Sequence, residues 1–439
     1  MHEILYNREV LGLKSGIPSI CTSNDLVIEA YLQQAKRFGD HVLLEATSNQ
    51  VNQLGGYTGM QPEDFKRMVY EIADRVEFPK EKILLGGDHL GPLVWCEEPE
   101  ESAMPKAEAM VRAYVLAGYK KIHLDTSMRL GDDSRSEPLS TRTIARRGAR
   151  LYQVCEEAYQ ELLKENPEEP RPSYVIGSEV PIPGGAQEAE DQVAVTSPED
   201  LHETIRMYKE EFDKVGMLDL FDSIVAVVVQ PGVEFGDENL VKYDRRDTKA
   251  LAQAFDQYPG LVMEGHSTDY QNAQQLKEMV EDGVAILKVG PALTYSLREA
   301  LFSLSFMERE LLPESEWAYF PETLERVMIE NPKNWMVHYK GTEEEKFIKR
   351  RYSFSDRWRY YYPHPDVQAA IDKLFRNIDS VHIPLGMLHE YMPLQYIKVR
   401  NRTLAPTGRE LVKDKVSECV ESYNYATKYN YMTGSIFVS

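Results

Sequence analysis

Short apolar runs alternate with longer stretches of helical periodicity over roughly the first three quarters of the chain. The apolar runs predict strands at Ile17 to Thr22, His41 to Thr47, Ile83 to Gly87, Lys121 to Asp125, Ser173 to Glu179, Ser223 to Gln230, Leu261 to His266 and Val284 to Val289. Between them the periodicity predicts helices over Leu26 to Phe38, Pro62 to Val76, Ser102 to Leu116, Thr141 to Leu163, Pro198 to Lys214, Asp247 to Phe255 and Gln271 to Glu281, with a last one from about Leu293 to Leu311. Such a run of strand and helix pairs implies an α/β protein of the (β/α)8 barrel type, with its chemistry at the C-terminal ends of the strands. A doubly wound open sheet is the alternative, but it gives no reason for polar residues at most strand ends.

The flanks read differently. Residues 1–16 form a short lead in which Ile4, Leu5, Leu11 and Leu13 are candidates to cover the barrel bottom. After Pro313 the pattern changes to irregular helices rich in aromatics, including Trp317, Trp335 and the run Trp358-Arg359-Tyr360-Tyr361-Tyr362-Pro363. The barrel with its lead is therefore placed at 1–313. Residues 314–439 are read as a helical extension packed on the barrel or on a neighbouring subunit, and a homo-oligomer is expected. The aromatics are read as core or interface rather than as a ligand site.

Composition narrows the function. A formal charge of -21 and a pI near 5.0 argue against nucleic acid or an anionic membrane as partner. They leave small molecules and metal cations open. No stretch approaches the roughly 18 apolar residues of a membrane span, and Met1-His2-Glu3-Ile4-Leu5 lacks the layout of a signal peptide. Cys21, Cys96, Cys155 and Cys419 lie far apart, without the spacing of a zinc knot or disulfide frame, so a reducing cytoplasm is expected. Runs such as Glu97-Glu98-Pro99-Glu100-Glu101 are read as solvated faces.

Candidate chemistry gathers at Gly86-Gly87-Asp88-His89-Leu90-Gly91-Pro92, which closes the apolar run Ile83-Leu84-Leu85. Neighbouring side chains in a strand point to opposite sides, so Asp88 and His89 face one substrate only if the backbone bends there. The surrounding glycines allow the bend. Three predicted strand ends carry Asp88 with His89, Glu179, and His266. Imidazole and carboxylate ligands suit zinc, nickel, cobalt or manganese, so His89, Glu179 and His266 are candidate ligands of a divalent cation with a coordination position left open. Gly184-Gly185 after Glu179 would allow close backbone approach to a ligand, and Glu188 would reach the site or cap a helix. Asn49, Gln53, Asp125, Ser127, Gln230, Ser267 and Asp269 are candidates for holding a sugar, and Lys288 for pairing with a carboxylate or phosphate. Ser267 and Thr268 with Gly265 and Gly290 make a thin site for a bisphosphate.

At these residues the chain resembles the larger, so-called non-catalytic subunit of class II D-tagatose-1,6-bisphosphate aldolase. The resemblance also runs through Gly55-Gly56-Tyr57-Thr58-Gly59-Met60, Ile122-His123-Leu124-Asp125, Val229-Gln230-Pro231-Gly232-Val233-Glu234-Phe235, His266-Ser267-Thr268-Asp269-Tyr270, Leu287-Lys288-Val289-Gly290-Pro291, and Tyr352-Ser353 with Ser355-Asp356-Arg357. It implies that Asp88 is an acid/base, His89 and His266 metal ligands, and Glu179 the glutamate of the fifth strand. Where catalytic class II aldolases place a further metal histidine, this chain has Gln230, so the resemblance makes Glu179 a standing ligand.

Such parts suit retro-aldol chemistry. A divalent cation chelating a ketose carbonyl and its neighbouring hydroxyl stabilises the enediolate left by bond cleavage, while Asp88 takes and returns the proton of the far hydroxyl. Release of the aldehyde half makes an aldolase, and its attack on the other face makes a 4-epimerase. The leading expectation is carbon-4 epimerisation of a tagatose or fructose type ketohexose or its phosphate. The alternatives are a subunit of tagatose-bisphosphate aldolase supporting a smaller catalytic chain, and a barrel without chemistry.

Overall fold

The computed structural model describes residues 2–181 and 193–428. Gly184, Gly185 and Glu188 lie outside the described residues. Eight parallel strands close into a barrel in chain order: β1 Ile17–Cys21, β2 Val42–Thr47, β3 Ile83–Leu90, β4 Lys121–Leu124, β5 Ser173–Ile176, β6 Ile224–Val229, β7 Val262–Gly265 and β8 Val284–Val289, which pairs back with β1. The sequence Ile-Val-Ala-Val-Val-Val of β6 is buried throughout, as expected of a parallel strand covered on both faces. A short antiparallel pair, Glu234–Phe235 with Leu240–Val241, follows β6.

Helix α1 is His2–Glu9, and the outer ring comprises α2 Asp25–Phe38, α3 Pro62–Val76, α4 Glu100–Leu116, α5 Thr141–Glu165, α6 Pro198–Lys214, α7 Lys249–Phe255, α8 Ala273–Glu281 and α9 Pro291–Leu311. Helix α3 shows how the sequence sets one of them. Gln61 and Asp64 form a capping box, Pro62 occupies the first turn, and Phe65, Val69, Ile72 and Ala73 make its buried stripe.

The lower barrel is plugged by Ile17, Leu43, Val175, Val225, Val228, Val262 and Ile286, with Ile4 of α1 in the same cluster and Leu5 against it. Leu11, expected to share this role, is 52% exposed. Helix α1 ends two residues earlier, at Glu9, and carries Leu11 past the barrel floor.

Beyond the barrel come α10 Phe320–Glu330, α11 Glu343–Tyr352, α12 Pro365–Ser380, α13 Leu385–Tyr391, α14 Pro393–Arg400 and α15 Gly408–Thr427. Helix α15 packs against α2, α8 and α9 of the ring. Glu29 of α2 accepts hydrogen bonds from Arg409 and Lys413 of α15, and the Tyr423 hydroxyl donates to the Thr268 carbonyl just after β7. Asp356 accepts from Thr294 and pairs with Arg298, while the Trp358 indole donates to the Thr294 carbonyl, so this segment is tied to α9. Among the described residues no helix is long and apolar enough to cross a membrane, and the four cysteines are free thiols.

Candidate active site

Strand β3 continues three residues past the predicted end, so Asp88 and His89 lie in the strand itself. The bend required of them is a register shift between Gly87 and Leu90 against β4, with His89 at a left-handed φ of 49°. For a non-glycine residue that conformation costs about 1–2 kcal/mol. It is held by its surroundings. The His89 main-chain nitrogen lies 3.2 Å from His123 Nδ1, and a Cβ on Gly91 would lie 1.6 Å from the Asp125 carbonyl oxygen, so only glycine lets β3 pass that close to the end of β4.

The bulge brings three imidazoles together. The ring centres of His89 and His266 are 4.9 Å apart, and His123 is 5.2 Å from each. Each ring is tied by one nitrogen to a carboxylate: His89 Nδ1 to Asp125 at 2.7 Å, His123 Nδ1 to Asp88 at 2.8 Å, and His266 Nε2 to Glu264 at 3.0 Å. Carboxylates placed so orient imidazoles for metal ligation and raise their basicity. Asp88, His123, Glu264 and His266 each bring a ligand atom within 4.8 Å of the other three. Among the described residues His123 Nε2, which is buried, has no hydrogen-bond partner, and a cation would satisfy it. The donor set of imidazole and carboxylate suits a borderline divalent metal.

Beneath the ring lies a buried charge lattice. Lys121 sits 2.7 Å from Glu45 and 2.8 Å from Glu264, and Lys288 sits 2.7 Å from Glu45 and 3.0 Å from Asp88. Ser19 completes the coordination of Glu45 at 2.7 Å. Burial would push the Asp88 pKa up, but the neighbouring charges of His89 and Lys288 and the bond to His123 outweigh it and hold that carboxyl well below its usual range. Burial lowers His266 to about 4, with Glu264 opposing. His89 goes the other way, because Asp88 and Asp125 outweigh its burial.

A cavity of about 100 Å³ opens above this ring, with Asp88, His89, His266 and Lys288 in its wall. Asn49, Ser267 and Asp269 also line it. Asp269 is partly committed, since it accepts from the main-chain nitrogens of Gly290 and Ala292 at the start of α9, and burial pushes its pKa up to about 6. The remaining candidates are placed elsewhere. Asp125 orients His89, and Ser127 in turn donates to Asp125 at 2.7 Å. Gln53 donates to the Lys106 carbonyl on α4. Gln230 accepts from the nitrogens of Gly232 and Val233, a turn-forming role in place of a metal histidine.

Glu179 is not brought into the ring. Strand β5 stops at Ile176, and Glu179 is exposed three residues later. His123 and Glu264, which were not singled out, occupy the ring, together with the lattice residues Glu45 and Lys121. Their signal is alternation. Lys121 and His123 lie two apart in and around β4, as do Glu264 and His266 at β7, and positions two apart in a strand share a face. The extension also reaches the site: Arg359, Tyr360 and Tyr362 line the cavity.

A closed (β/α)8 barrel with a histidine and carboxylate cluster at the C-terminal mouth defines the class: a barrel protein whose cluster could hold a metal ion. The chain belongs to the GatZ/KbaZ-like family of D-tagatose-1,6-bisphosphate aldolase subunits, whose family model matches residues 1–428. It is similar to the crystal structure of a probable tagatose 6-phosphate kinase from Sinorhizobium meliloti, at 46% identity and a TM-score of 0.85, covering 94% of this chain and 100% of that one. More distant matches are a putative fructose-1,6-bisphosphate aldolase from Coccidioides immitis, at 15% identity, TM-score 0.42 and coverage of 86% and 96%, and a fructose-bisphosphate aldolase from Campylobacter jejuni, at 12%, 0.43, 87% and 94%.

Proposed function

We propose that this chain is a D-tagatose-1,6-bisphosphate aldolase subunit with a metal-dependent site of its own, one that breaks and makes a carbon–carbon bond in a ketohexose or its phosphate. The observation that carries this reading is the triangle of His89, His123 and His266, each anchored to a carboxylate, with His123 Nε2 buried and without a partner among the described residues. His123, His266 and Glu264, three of the four groups whose ligand atoms converge, would hold the cation, with the fourth, Asp88, left as the base and the His89 ring beside them. Bound there, zinc, nickel, cobalt or manganese would supply Lewis-acid polarisation of a ketose carbonyl.

The protein's own groups do the rest. Asp88 lines the cavity and is kept ionised by Lys288, so it accepts the proton of the hydroxyl on the carbon whose bond breaks and returns it on re-formation. Lys288 presents a fixed positive charge to oxygen that becomes negative as the bond breaks. Asn49 and Ser267 supply hydrogen bonds to sugar hydroxyls from the cavity wall.

Family membership supports the subunit role, with a smaller class II aldolase chain as partner. Carbon-4 epimerisation by this chain is the second reading, supported by Asp88, His89, His266 and Lys288 meeting in one cavity. In that case the aldehyde half turns over before leaving and is attacked on its other face. The experiment is incubation of the purified chain with each of the four metals and with D-tagatose, D-fructose and their phosphates, followed by carbon-13 NMR. Interconversion without a second chain supports epimerisation. Cleavage to triose products supports an aldolase site, and silence in every arm, with or without a smaller aldolase chain, removes the proposal of a catalytic site here.

A further inference from the structure

The extension contributes Arg359, Tyr360, Tyr362 and Pro363 to the wall of the cavity, and Arg359 brings a positive charge. Arg359 lines the cavity and lies against the Tyr360 ring, 4.6 Å from its centre. Its Nη1 donates to the carbonyls of Ser355 and Asp356, and its Nη2 to the Tyr360 hydroxyl at 3.1 Å. Those neutral partners fix the plane of the guanidinium, while Asp269 and Asp356 act on it only through space. Among the described residues no carboxylate lies within 4 Å of Arg359, although most arginines of this acidic chain pair with one, as Arg147 does with Glu100 and Asp133. A guanidinium has five N–H donors, so Arg359 keeps donors to spare. Ser23 also lines the cavity, and a planar guanidinium with spare donors suits the several oxygens of a phosphate ester.

We infer that Arg359 is the specificity determinant of this site, receiving the phosphate of a ketohexose monophosphate whose carbonyl end lies toward Asp88 and Lys288. The inference rests on the proposed aldol site for its catalytic readout, and it changes the role of the extension from packing to substrate selection.

The test compares wild type, Arg359→Gln and Arg359→Lys, each as the full chain loaded with its divalent metal, on D-fructose 6-phosphate and on D-fructose. Loss of one charged hydrogen-bond partner corresponds to about a ten- to hundred-fold fall. In Arg359→Gln the ratio of kcat/KM for the phosphate ester to that for the free sugar falls by at least ten-fold, and Arg359→Lys recovers part of it. Far-ultraviolet circular dichroism and a melting curve establish that each variant is folded. Should neither sugar turn over, the proposed reaction fails but the inference is still read. Calorimetric binding of D-fructose 6-phosphate then weakens in Arg359→Gln relative to wild type if Arg359 holds the phosphate. An unchanged ratio with unchanged phosphate-ester binding in folded Arg359→Gln overturns it, as does an equal loss on the free sugar and the ester.

Discussion

His89 and Asp88 work as a pair because the backbone between them leaves the strand geometry. With φ at 49° for His89, both side chains reach the same cavity, which an unbroken strand forbids. Gly91→Ala tests the packing that permits it. Its Cβ cannot coexist with the Asp125 carbonyl oxygen 1.6 Å away, so β3 or β4 must shift. Stability is expected to fall by about 2–3 kcal/mol, measured by urea unfolding, with the His89 to Asp125 bond disturbed. Asp88→Asn separates proton transfer from architecture. The amide oxygen still accepts from Lys288, but it takes up no proton, so turnover falls by about 100-fold or more while bound metal, counted by plasma mass spectrometry, remains. Retained activity in that variant means that another group is the base. Asp88, His89 and His266 stand out as candidates in the sequence because they interrupt apolar runs, and the structure places them on one cavity. His123 was passed over inside one such run, although its spacing of two from Lys121 and from Asp125 carried the signal. Glu179 misled because an apolar run shows where a strand begins better than where it stops, and β5 leaves the sheet after Ile176.

At the scale of elements, the strands and ring helices were readable from period alone, because parallel strands buried on both faces are near-continuous apolar runs and the helices carry one apolar stripe each. The attachment of α15 was not readable, since it depends on ion pairs between residues hundreds of positions apart. Glu29 on α2 meets Arg409 and Lys413, and its side chain and that of Lys413 are both nearly buried. Burial acts to raise the Glu29 pKa, but the bonds to Arg409 and Lys413 outweigh it and bring it from 4.5 to about 2. A carboxyl depressed in the folded state stabilises fully above its unfolded pKa and loses that contribution as pH falls through the folded one. The clamp therefore weakens between about pH 4.5 and pH 2. Glu29→Gln leaves Lys413 to Glu410 and the partly exposed Arg409 to solvent, so a loss of roughly 2 kcal/mol is expected near neutral pH. The difference from wild type shrinks on acidification, which thermal melts at a series of pH values would reveal. A constant difference across that range contradicts the clamp.

In the whole molecule, the barrel supplies the ring and lattice, and the extension supplies one wall of the cavity. Arg359 lies about 70 residues beyond β8, and no periodic pattern links it to the strand ends, so its place in the cavity was invisible before folding. The central claim is that the histidine ring holds a divalent cation, and metal binding tests it without assuming a substrate. Titration of the chelator-stripped full chain with cobalt, followed by the d–d absorption of the bound ion and by plasma mass spectrometry after desalting, counts what the mouth holds. One tightly held ion per chain is expected in wild type, lost or weakened by about 10- to 100-fold in His123→Ala and in His89→Ala while both variants remain folded. No bound ion in wild type, or an undiminished one in His123→Ala and His89→Ala, would contradict it.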